Sequence, residues 1–292
     1  MKHRLFFALL LSASLFAQQP STQSPPQQQQ APPAGQQAPP AGQPGQPGQP
    51  PAAQTTPAKP DKSKPMAKTD EEFNEYKAII GSPDLKASVA AADAFAKKYP
   101  DSELRVPAYS VLMQKSYGAN DADTTLEMAE KILATEPEHT IALVISSSVL
   151  AERTRETDLD RDERLAKSVA RAEKAIKTID TGLIVPPEIT PEQLAGAKQQ
   201  LISMAHANMG YVELSKKNYP AAEKHFNDSI EAGKARPDAT SYYRLALSQH
   251  GQKKFGDALK NATRAVELAQ AEGNQPVLQL AQEEKAKLEK TK

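Results

Sequence analysis

The chain of 292 residues balances 36 lysines and arginines against 36 aspartates and glutamates, so no net field draws it to nucleic acid or to an anionic membrane. It has no cysteine, which excludes disulfides, thiolate metal sites, a cysteine nucleophile and a lipid-modified cysteine at a processing point.

Residues 1–17, MKHRLFFALLLSASLFA, set Lys2, His3 and Arg4 before an apolar run from Leu5 to Leu11 that weakens toward Phe16. Length and polarity predict a secretory signal peptide, too short to span a bilayer comfortably, with cleavage near Ala17. An exported, periplasmic or extracellular chain is therefore expected, with no membrane span after cleavage. A bacterial envelope suits the missing cysteines. Between Gln18 and Pro65 lie 14 of the 24 prolines and 13 glutamines, without an aromatic or a β-branched aliphatic side chain to offset the entropy of folding. Residues 18–69 are read as a disordered tether, a spacer rather than a recognition motif, because almost no basic residue precedes Lys59.

From Asp70 the composition shifts to Ala, Leu, Glu and Lys, and every periodic segment runs at 3.6 residues, so 70–292 is predicted to be all-α. The first helices are expected at Asp70–Ile80 and Leu85–Tyr99, with Ser82 as N-cap and Pro83 at the first helical position of the second. Val106–Tyr117 and Thr124–Thr135 form the next pair. A third pair begins at His139, with a charged insertion over 151–164 read as extended helices broken near Asp158–Asp160, and a surface loop as the alternative. Thr190 caps a long helix Pro191–Ser215, with Pro191 in its first turn and Gln193 completing a capping box. Pro220–Ala232, Ala239–His250, Phe255–Ala271 and Gln275–Lys290 complete the series. The last helix, with Val277, Leu280, Ala281 and Leu288 inward, is expected to cover the apolar end of the stack.

One pattern occurs twice, 36 residues apart. Tyr219, Ala222, Phe226 and Ser229 map onto Phe255, Ala258, Ala262 and Ala265, while Met209-Gly210 maps onto Leu245-Ala246. Small residues at Gly210, Ala246, Ala222 and Ala258 let the helices of a hairpin approach closely, and Tyr219 and Phe255 are expected to fill the turns. On these residues the units 203–236 and 239–272 resemble tetratricopeptide repeats. A looser match covers Tyr109, Leu112, Met113, Thr125, Ala129, Ile132 and Pro137, with Thr125 in place of the usual alanine. Val89, Ala92, Phe95 and Pro100 resemble the second half of a more diverged unit.

The resemblance implies a right-handed superhelix of antiparallel hairpins whose concave face, lined by first helices, holds a peptide or a partner helix. Some relatives grip a C-terminal carboxylate there. Asn208 and Arg244 fall where two members of that clamp would stand, but Thr240 occupies the place of the lysine expected in the final repeat. Asn208, Tyr211, Tyr243 and Arg244 are taken as the candidate binding face, and Tyr109 and Tyr242 as core. The expected partner is a protein or peptide, with a second copy of the chain as alternative occupant.

Catalytic chemistry is not indicated. Lys167, Ser168 and Ser146–Ser148 lack the partners of a nucleophile, and the glycines of the tether are punctuated by proline and cannot cradle a phosphate. His139, His206, His225 and His250 belong to separate helices with no three-ligand set within a helix, so neither metal nor cofactor is expected. The sequence predicts a noncatalytic scaffold, with an enzyme that uses an unrecognised groove site as the remote alternative.

Overall fold

The computed structural model describes residues 65–185 and 188–291; the predicted signal peptide and residues 18–64 of the tether lie outside them. Twelve helices occur among the described residues: α1 (Asp70–Gly81), α2 (Leu85–Lys98), α3 (Arg105–Gly118), α4 (Ala122–Thr135), α5 (Thr140–Arg153), α6 (Arg161–Lys177), the short α7 (Ile179–Gly182), α8 (Pro191–Ser215), α9 (Tyr219–Ala232), α10 (Ala239–Gly251), α11 (Phe255–Glu272) and α12 (Gln275–Glu289). Residues 65–69, at the end of the predicted tether, pack against the array. Ala67 is buried, the Met66 amide donates to Glu103 Oε2 at 3.0 Å, and Thr69 caps α1.

Seven of the twelve helices start where an N-cap side chain satisfies an orphan amide, while α3, α6, α7, α9 and α11 have no such side-chain cap among the described residues. Asp84, Asp121, Asp238 and Asn274 accept from the amide three residues on, and His139 does the same through Nδ1. At Thr190 both halves of the predicted capping box form. Asp84 displaces the expected Ser82. The Ser82 hydroxyl instead accepts from the Asp84 amide at 3.2 Å, so it shapes the turn before the cap.

The helices pack in consecutive pairs, α1 with α2, α3 with α4, α5 with α6, α8 with α9 and α10 with α11, and α12 closes on the last pair. Five second helices share one buried stripe at i, i+4 and i+7, headed each time by a small residue. The stripes are Ser88, Ala92 and Phe95; Thr125, Ala129 and Ile132; Ser168, Ala172 and Ala175; Ala222, Phe226 and Ser229; and Ala258, Ala262 and Ala265. The all-α fold and the repeated pairing agree with expectation, and the frame extends to units whose sequences look least alike.

The turns repeat as well. Asn120, Lys217 and Lys253 each have φ near 60° (64°, 59° and 61°), and each precedes the first residue of a second-helix cap. In all three the next amide reaches five residues back, from Asp121 to Ser116, Asn218 to Glu213 and Lys254 to Gln249, each at 2.9 Å. This is the left-handed helix stop that satisfies the last carbonyls, adopted here without glycine.

Close approach of two helices marks the α8–α9 hairpin. A Cβ added to Gly210 would stand 2.9 Å from the Phe226 ring, so only glycine fits beneath that phenyl group. The next hairpin fills the same place with Ala246 and Ala262, both buried. Hydroxyl pairs mark other crossings: Ser116 with Thr125 at 3.0 Å, Ser147 with Ser168 and Ser203 with Ser229 at 3.2 Å. Hydroxyls that bond each other allow near contact at little desolvation cost.

Three expectations are corrected. First, the break expected near Asp158–Asp160 is wider: α5 ends at Arg153, 154–160 form a non-helical link and α6 resumes at Arg161, because Asp158 accepts from the Arg155 amide at 2.8 Å and draws the backbone into a local turn. Second, Leu280 is 45 % exposed, and the inner face of α12 is Ala281, Glu284 and Leu288. The seven-residue spacing of Ala281 and Leu288 sets the face, and Glu284 is tolerated there because its Oε1 meets His250 Nδ1 at 2.5 Å. Third, Tyr219 does not simply fill its own turn. Its ring covers Gly251 at the end of the next first helix, where a Cβ would meet it at 2.6 Å, whereas Phe255 stays in its turn edge-on to His250.

Candidate functional site

The first helices α1, α3, α5, α8, α10 and α12 each touch the next, while the second helices make no comparable contact with one another among the described residues. A side chain on the shared edge can thus meet residues from two other units. Of the four predicted face residues, the structure brings two together. The Arg244 guanidinium carbon lies 4.3 Å from the Tyr211 ring centroid, and its Nη2 donates to Glu152 Oε1 at 3.1 Å. The cluster draws one residue each from α5, α8 and α10.

Energetics decide what this cluster is for. Glu152 is 46 % exposed, and such an ion pair is worth at most about 1 kcal/mol, while Arg244 and Tyr211 are both partly buried. The groups can therefore exchange partners at little loss. Sequence reasoning missed Glu152 because it lies 92 residues before Arg244, across the charged link whose path no periodicity describes.

Asn208 lies elsewhere. It is buried, and its Nδ2 donates to the Val144 carbonyl and to Ser147 Oγ, both at 3.2 Å, tying α8 to α5. Asn208 is an internal strut in this arrangement. Tyr243 is half-buried and turned toward α12; burial first, then the Glu284 and Glu283 charges, hold its phenol above the usual tyrosine range, with Arg244 opposing. Of the predicted structural positions, Gly210, Ala222, Phe226, Ala246, Ala258 and Ala265 are all buried, whereas Tyr219 and Phe255 are only partly so.

A second group was not foreseen. His206 on α8 meets His225 and Asp228 on α9, with ring centroids 5.8 Å apart and one ligand atom from each residue within 4.8 Å of the others. Both Nδ1 atoms are buried and have no hydrogen-bond partner among the described residues, and His206 Nδ1 lies 3.9 Å from Asp228 Oδ2. Burial is the largest influence on both rings and, with Lys224 adding to it, lowers their pKa, which favours neutral imidazole. The i, i+3 spacing of His225 and Asp228 is readable in the sequence, but the third member comes from the partner helix of the hairpin.

His206 and Asp228 also line a groove of about 990 Å³ between the start of α8 and the turn after α9, bordered by Glu192, Glu231, Lys234 and Arg236. No helix among the described residues is long and apolar enough to cross a membrane. Compared with known proteins, the chain matches no family model and no curated protein.

Proposed function

We propose that the chain is an exported, noncatalytic scaffold of the bacterial cell envelope that binds a protein or peptide along its row of first helices. The Glu152, Tyr211 and Arg244 cluster carries this reading, because a surface assembled from three successive units suits an elongated ligand better than a small molecule. An aromatic ring beneath a guanidinium offers both stacking area and a charge that can turn to a ligand carboxylate. The resemblance to tetratricopeptide repeats supports the same face and a superhelical path for the array. The carboxylate clamp loses support, since Asn208 is committed to the core.

The test is selection of peptides from a random display library on the untagged chain. Selected peptides should bind at least about tenfold more weakly to Tyr211→Ala and to Arg244→Glu, while Arg264→Glu on the exposed side of α11 leaves binding unchanged. Equal binding to all three variants contradicts the reading.

Self-association is the second reading, and one feature favours it. Where α12 covers one end of the array, the other end presents a depression of about 360 Å³ between α1 and α2, lined by Ala78, Ile79, Ala87, Ala91 and Phe95. A concentration-dependent dimer in light scattering, abolished by Ala91→Glu, supports that reading. A monomer at all concentrations excludes it.

A further inference from the structure

We propose that His206, His225 and Asp228 form a binding site for one divalent transition-metal ion of the zinc class, clamped across the α8–α9 hairpin. The helical frame does not need these three side chains. Counted from the small residue that heads each second helix, the positions of His206 and His225 hold Tyr109 and Met128 in the α3–α4 hairpin and Tyr242 and Asn261 in the α10–α11 hairpin. The place of Asp228 holds Lys131, Lys174 and Arg264 in three other second helices. Packing in those two hairpins is thus satisfied by aromatic, apolar or amide side chains, and the place of Asp228, six residues after the head of the stripe, holds a cation in three of the other second helices and Ala94 in α2. One hairpin alone replaces all three at once, with two imidazoles and an acid that converge.

The chemistry of the donors names the ligand class. Two neutral imidazoles and one carboxylate suit zinc, copper, nickel or cobalt in the divalent state and are a poor set for calcium or magnesium, which take mainly oxygen ligands. Tetrahedral coordination with bonds near 2.0–2.1 Å places donors about 3.3 Å apart. The atoms now lie within 4.8 Å, so closure needs movements of roughly 1–1.5 Å at the side-chain ends, which small χ rotations supply. The two buried Nδ1 atoms without hydrogen-bond partners are the groups a metal would satisfy.

The carboxylate has a competing partner. Lys224 Nζ lies 2.7 Å from Asp228 Oδ2, but its side chain is 72 % exposed, and an exposed i, i+4 pair contributes too little to hold the acid against a metal. Three protein ligands leave at least one coordination position for water or an outside donor. Because His206 and Asp228 both line the 990 Å³ groove, that position opens toward it.

The experiment titrates the untagged full chain, freed of metal by chelator, with Co²⁺ followed by visible absorption and with Zn²⁺ followed by calorimetry. The expected result is one ion per chain, Co²⁺ displaced by Zn²⁺, and binding at least about tenfold weaker in His206→Tyr, His225→Asn and Asp228→Asn. The first two substitutions install the residues of the next hairpin and so should leave helix content and the unfolding midpoint intact. Asp228→Asn sits on the half-buried flank of α9 and remains informative if either of them perturbs the fold. Lys224→Ala should tighten binding severalfold. Absence of uptake, or uptake unchanged in folded variants, overturns the site.

Discussion

The hairpins α8–α9 and α10–α11 are the same 36-residue unit filled in two ways. Both keep a small residue at the head of the second helix, a left-handed turn before it, and a hydrogen bond five residues back across that turn. They differ in how the space between their helices is used. One joins a glycine to a phenylalanine and places three metal-type donors on its flank; the other joins two alanines and carries Tyr242, Asn261 and Arg264 in place of those donors. The backbone frame is therefore common property, and what departs between hairpins is open to function.

The largest effects should come from breaking the volume match. Phe226→Ala removes a buried ring above Gly210 and is expected to cost about 3–5 kcal/mol in urea unfolding. The opposite change in the sister hairpin, Ala262→Phe, crowds a place filled by Ala246 and should cost about 1–3 kcal/mol, as should Gly210→Ala, whose Cβ would meet the ring at 2.9 Å. If all three cost less than about 1 kcal/mol, the hairpins are not packed as described.

A sharper separation comes from two residues that sequence reading placed on one face. Asn208→Ala should destabilise by about 1–2 kcal/mol, because it strips a buried donor from the α5–α8 contact. Arg244→Ala should cost no more than about 1 kcal/mol, since its ion-pair partner Glu152 is 46 % exposed. The reverse ranking would return Asn208 to the surface and Arg244 to the framework.

The smallest expected effect is a gain. Lys217→Gly and Lys253→Gly relieve a lysine held at positive φ, and each should stabilise by up to about 1 kcal/mol, partly offset by the greater freedom of glycine in the unfolded chain. Asn120→Gly should gain less, since asparagine tolerates that region. Thermal melts of the three variants check the order.

Helices and their partners were legible because burial is periodic: Ala258, Ala262 and Ala265 announce a face whatever surrounds them. The cap at Thr190 follows from a short polar side chain before a proline at the first helical position, with Gln193 three residues on. Less was legible where one side chain decides between local and tertiary bonds. Asp158 folds the charged link back on itself, and Glu284 enters a buried face because His250 awaits it across 34 residues. Neither leaves a periodic signal. The site was the least readable part, since Glu152 and His206 acquire their partners only when separate helices are in register. Asn208 was misplaced because a polar residue on a first helix serves a groove and a helix crossing equally well in sequence.

The pairing of helices into hairpins can be tested most directly in a chain that has no cysteine of its own. Ser203 and Ser229 have Oγ atoms 3.2 Å apart, and so do Ser147 and Ser168, the latter across the irregular link. Replacing either pair with cysteine and oxidising mildly should form an intrachain disulfide in high yield, while the mixed pair at 147 and 229 should stay reduced, because thiols bridge only at close Cβ approach. Failure of both matched pairs to close, or equal closure of the mixed pair, would contradict the arrangement of the helices.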